Sequence, residues 1–132
     1  MNDYADAAER HFLSASVLLD NYPATTSHCL GIAAECVLKT LMCDLRPQEK
    51  KVSGHHLGPR LWAEFANHQI LQAHPSRVAQ VQRQQPGFSD WDIHQRYFNR
   101  ADSCFSNAKL IQQKNSAKAL LGLMQLVQRG LA

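Results

Sequence analysis

The chain has 132 residues, 45% of them hydrophobic and 19% charged, with a formal net charge of +3. That length suits one domain, which buries roughly two-thirds of its unfolded surface and so needs neither a disulfide nor a metal to hold its core. No apolar run reaches the ~20 residues that span a bilayer. The start Met1-Asn2-Asp3-Tyr4-Ala5-Asp6 is acidic and lacks the parts of a secretory signal, so a cytoplasmic, non-membrane protein is the simplest expectation.

Asn2 or Asp3 can cap a first helix, in which Tyr4, Ala8, His11, Ala15 and Leu18 follow the alternating four-three spacing of a buried stripe, widened by Phe12 and Leu19. Asn21-Tyr22-Pro23 ends it, because a residue before proline avoids the helical region. Thr25 or Thr26 is then expected to cap a second helix running to about Asp44. Its apolar positions cover most of its circumference, so other helices must enclose it. The short link makes the two helices an antiparallel hairpin. Residues 46–56 are polar, contain Pro and Gly, and read as a surface loop.

A third helix is predicted from about Leu57 to Gln72, with Pro59 in its first turn and Leu57, Leu61, Trp62 and Phe65 buried. His74-Pro75-Ser76 breaks it, a shorter piece carries Val78 and Val81 toward Gln85, and Pro86-Gly87 makes a turn. Ser89 is expected to cap a fourth helix over Asp90–Arg100, and a last helix spans about Asn107 to Arg129 with Gly130 as its C-terminal cap. No strand-like alternation competes. The fold class is therefore all-α, an up-and-down antiparallel bundle of about five helices in a single domain over residues 1–132.

Cys29, Cys36 and Cys43 recur every seven residues along the second helix. At ~1.5 Å rise per residue, neighbours stand about 10 Å apart, too far for a disulfide and strung along an axis where a zinc ion would need them to converge. They read as reduced packing thiols, also beside His28, and no metal or cofactor is expected. Residues 1–66 carry six basic against eight acidic side chains, and residues 67–132 eight against three. The basic half is where contact with an anion is expected, although Arg77, Arg83, Arg100, Lys109, Lys114 and Lys118 need not share one face.

Glu35 and Lys39 lie four residues apart within the enclosed second helix, acid first. The sequence then carries Gly54-His55-His56-Leu57 at the opening of the third helix, Arg96-Tyr97 after an aromatic, and an Ala/Leu-rich last helix. In this order, with His28, Ala34-Glu35 and Leu38-Lys39 on the second helix, the chain resembles the HEPN domain (higher eukaryote and prokaryote nucleotide-binding) over nearly its whole length. The resemblance implies a helical bundle that dimerises, a minimal nucleotidyltransferase as partner or a toxin–antitoxin or defence setting, and a nucleotide or RNA as ligand.

Many HEPN domains are metal-independent ribonucleases in which four to six residues separate an Arg from a following His. Here the positions after Arg96 are Ala101, Asp102 and Ser103; Arg77 is followed at that spacing by Gln82, Arg83 and Gln84, and Arg60 reaches His68 too late. Loss of a proton-transfer group removes a factor of typically ~10²–10⁴. The resemblance therefore points to the non-catalytic branch, a nucleotide-, RNA- or partner-binding module with no catalytic residue assigned. A divergent ribonuclease using Arg96 and a His at a dimer interface is the alternative, and a purely structural dimerisation module a third.

Six residues are candidate ligand contacts. Arg96 offers a planar fork for a phosphate or carboxylate, and Tyr97 a stacking surface, against the plainer reading of a solvated Arg beside a core Tyr. On a helix, His94 diverges from Arg96 by about 200°, so a dimer partner would be needed to unite them. His56 lies near a helix N-terminus, which favours anions, or simply bonds to the second helix. Glu35 and Lys39 form an acid–base pair or, more plainly, a polar clasp.

Overall fold

The computed structural model describes residues 3–18, 21–45, 54–68 and 74–130. Among these the chain is all-α, with five α-helices and three short 3-10 helices. No helix among the described residues is long and apolar enough to cross a membrane.

Helix α1 spans Tyr4–Leu18. Asp3 caps it, its carboxylate accepting from the Asp6 N–H at 3.0 Å. Ala8 and Ala15 are fully buried, and two small residues a double turn apart let α1 lie close on its neighbour. That neighbour is α2, Pro23–Leu45. It starts earlier than expected: Pro23 opens the helix, where its missing N–H leaves nothing unsatisfied, and Thr26 is already inside, its N–H donating to the Tyr22 carbonyl at 2.9 Å. Between Thr26 and Met42 only His28 and Ile32 are not fully buried. Complete burial of Leu30, Leu38 and Leu41 contributes about 1.5–3 kcal/mol each. The Lys39 ammonium lies 5.6 Å from the Tyr4 ring centre, so the start of α1 meets the later half of α2 and the pair runs antiparallel.

Helix α3 is Pro59–Asn67 and α4 is Pro75–Gln82. Both begin on a proline; the part of the expected third helix beyond His68 lies outside the described residues, as do Leu19 and most of the 46–56 loop. Helix α5, Asn107–Gln128, is capped by Ser106, whose hydroxyl accepts from the Lys109 N–H at 3.3 Å. It ends at Gly130, which takes φ 71°, a left-handed conformation that glycine adopts without steric cost. Leu110, Ala117, Leu120 and Met124 line its buried face. Gln113 is buried there too, its side-chain oxygen accepting from the Ser27 hydroxyl at 2.8 Å.

The expected helix over Asp90–Arg100 is not present. A 3-10 helix, Ile93–Tyr97, stands in its place, and Asp92 caps it where Ser89 was expected to. Asp92 accepts from the His94 N–H at 2.7 Å, while the Gln95 side chain accepts from the Asp92 N–H at 2.7 Å. This reciprocal box closes the turn within three residues, and Phe98 leaves it in an extended conformation. Two further 3-10 helices, Gln85–Phe88 and Ser103–Phe105, complete the connection from α4 to α5.

Candidate functional site

Glu35 is the only acid on the buried stretch of α2, and both of its carboxylate oxygens are occupied. Oε2 accepts from Lys39 Nζ at 3.0 Å; Oε1 accepts from the Leu57 N–H at 3.0 Å and faces His56 Nδ1 at 3.1 Å. A carboxylate calls for the tautomer with the proton on that nitrogen. Glu35 thereby ties the chain entering α3 to the middle of α2. With Lys39 also buried, the desolvation of two charges is offset by their pairing and by these extra hydrogen bonds. Three of the roughly four acceptor positions of the carboxylate are thus used within the fold.

The second element is the segment 91–97. Trp91 is buried, and its Nε1 donates to the Ser27 carbonyl at 2.9 Å. Its ring stacks on His28, centres 6.5 Å apart and planes 25° from parallel. Three residues further, His94 Nδ1 bonds to Asp92 at 2.6 Å, and the His94 N–H with that ring contact holds the Asp92 carboxyl below its ordinary value. The guanidinium of Arg96 covers the Tyr97 ring at 4.8 Å, a cation–π distance. Tyr97 is 73% exposed and Phe98 47%, so Tyr97 is not a core residue. Among the described residues Arg96 makes no ion pair.

Electrostatics joins the two elements. Burial holds the His28 imidazole below its ordinary value, and the positive charges of Arg96 and His11 push the same way while Glu35 opposes them. Burial and the neighbouring Arg10 likewise lower His11 on α1. His56 is close enough to act on both His28 and Asp92. An exposed arginine and an exposed aromatic thus act on the same stretch as the His11 and His28 imidazoles, which are held below their ordinary value. Such a group receives an anion well, because the arginine attracts it and the imidazoles can take up protons as it arrives.

Of the six candidates from the sequence, Glu35, Lys39 and His56 touch one another, and Arg96 pairs with Tyr97. His94 turns to Asp92. The sequence puts His11 in the buried stripe of α1 and His28 on α2, but neither is among those six candidates. For His28 a signal existed: it lies seven residues before Glu35 and eleven before Lys39, so all three follow one face of a helix. Nothing in the sequence announces that α1 delivers His11 to that face. Cys29 and Cys36 are buried and none of the four cysteines forms a disulfide; burial pushes the Cys36 thiol up to about 11. Among the described residues no three of His, Cys, Asp and Glu gather closely enough to hold a metal ion.

In comparisons with family models, curated proteins and solved structures, the chain matches none of them.

Proposed function

We propose that the protein is a HEPN-like module that binds a nucleotide or single-stranded RNA without chemistry of its own. Arg96 takes the phosphate, Tyr97 stacks on the base, and His28 and His56 border the ligand. The observation that carries this reading is the exposed Arg96, without an ion pair among the described residues, lying over the exposed Tyr97 ring. A guanidinium beside an open aromatic face matches a phosphate beside a base. Dimerisation and a nucleotidyltransferase as partner belong to the same reading and rest on the family resemblance alone.

One observation favours a second reading, a divergent metal-independent ribonuclease. The charge of Arg96 acts on the His28 imidazole of the same chain, which makes His28 the candidate proton-transfer group of this reading despite the missing sequence motif.

The test is incubation of labelled single-stranded RNA in EDTA with the wild type, Arg96→Ala and His28→Ala, read on native and denaturing gels. A retarded, uncut RNA whose retardation weakens with salt and is lost in Arg96→Ala supports the binding module. Cleavage abolished by either substitution establishes the ribonuclease. RNA and nucleotides ignored by the wild type refute both.

A further inference from the structure

A second surface, sharing no residue with the site above, lies between α4 and α5. It is a groove of about 300 Å³ whose lining includes Gln80, Arg83 and Gln84 on one side and Leu120, Leu123 and Leu126 on the other. Leu126 is 43% exposed although it is a large aliphatic side chain. Gly122 also lines the groove, and a Cβ built there meets nothing within 4 Å, so another molecule can approach the α5 backbone closely.

The two segments that line this groove carry charge of one sign. Neither residues 74–89 nor residues 103–130 contain an aspartate or glutamate. Arg83, Lys118 and Arg129 are exposed, Lys118 one turn before Gly122 and Arg129 one turn after Leu126. An apolar floor bordered by cations, with no acid on either helix, is complementary to a ligand having a row of apolar groups flanked by carboxylates. Glutamines at the rim supply donors and acceptors for a peptide backbone or side chains. A bare polyanion would leave the leucine floor unused.

We propose that this groove docks an acidic amphipathic helix of a partner protein, its apolar side chains seated against Leu123 and Leu126 and its carboxylates facing Arg83. The mode is a helix laid in a groove with anchors at i, i+3 or i+4 and i+7.

The test uses a fluorescent, acetylated and amidated helical peptide with a leucine stripe and glutamate flanks, beside the same peptide with lysine flanks. Binding is followed by anisotropy, and the surface is located by amide shifts of the isotope-labelled protein. The acidic peptide is expected to bind and to shift residues 80–84 and 119–126, and the lysine version to fail. Arg83→Glu should weaken binding about tenfold at low salt, with a smaller gap at about 0.5 M salt. Leu126→Asp, at an exposed position, should weaken it by a similar factor at either salt. Thermal melts confirm that both variants fold. No binding of the acidic peptide, shifts elsewhere, or indifference to both substitutions would overturn the proposal. So would displacement of the peptide by RNA or by anionic vesicles that themselves bind through Arg83.

Discussion

The indole of Trp91 occupies the space that a side chain at Gly31 would need: a Cβ there would overlap the six-membered ring. The stretch of turns and 3-10 helix around Trp91 is therefore held on α2 by a contact that tolerates no added carbon. Gly31→Ala is expected to push Trp91 off α2, breaking its hydrogen bond to Ser27 and destabilising the fold by about 1–3 kcal/mol. Urea unfolding measures the loss. A stability equal to the wild type would show that the indole does not need this seat.

Glu35→Gln should cost more. It leaves the buried Lys39 ammonium without an opposite charge, and removal of one charge of a buried pair is worth about 3–5 kcal/mol. Lys39→Met should be milder, since Glu35 keeps His56 and the Leu57 N–H. Equal effects in urea unfolding would mean that the two side chains act only as a pair and that the tie to α3 contributes little.

Acidification acts through His11 and His28. Both are lowered from 6.5 in the folded chain, so the unfolded chain binds protons first. Stability is thus level above about pH 6.5 and falls as the pH drops through that value toward the folded ones. Asp92 and Asp102, lowered from 3.8, act in a separate window: their contribution is present above 3.8 and is lost as pH falls through their folded values. Urea midpoints between about pH 7.5 and pH 5 should decline in the wild type and stay flatter in a His11→Gln, His28→Gln variant. A wild-type profile that is level across this range refutes the assignment.

Tyr97 should matter to nucleic-acid affinity through its face. Tyr97→Ala is expected to lose about 1–3 kcal/mol of RNA binding and Tyr97→Phe very little. An unchanged affinity in the alanine variant would remove Tyr97 from the site. Neither substitution should alter stability much, because the ring is exposed.

Thiol reactivity gives a prediction independent of any ligand. Burial, and the neighbouring Asp102 in the case of Cys104, push Cys36 and Cys104 up to about 11. Near neutral pH each then carries about a hundredfold less thiolate than an ordinary thiol, and only the thiolate attacks. Iodoacetamide should label both slowly in buffer and rapidly in urea, as peptide mapping would show. Fast labelling of Cys36 in the folded protein would contradict its enclosure.

Periodicity was enough to find α1, α2 and α5, since each has a buried stripe several turns long; Asp3 and Gly130 also mark termini of α1 and α5, whereas α2 starts at Pro23, earlier than expected. It failed between Asp90 and Arg100. There the local preferences for helix are genuine, but the Asp92–Gln95 box and the Trp91 contact to α2 decide the outcome, and the second of these spans some sixty residues. The same limit applies to the site. Glu35, Lys39 and His28 share a face that a helical count reveals, whereas His11 and Arg96 join them only through tertiary packing.

The packing of Trp91 has an optical consequence. The sequence holds two tryptophans, and Trp62, on α3, is the other. A Trp62→Phe background would leave a single emitter, stacked on an imidazole and bonded to the α2 backbone. Its colour would follow the release of the 91–97 segment into water. Its brightness would follow the charge on His28, because a protonated imidazole quenches indole emission. The chain carries its own probe of the arginine-bearing segment, and the reporter needs no label.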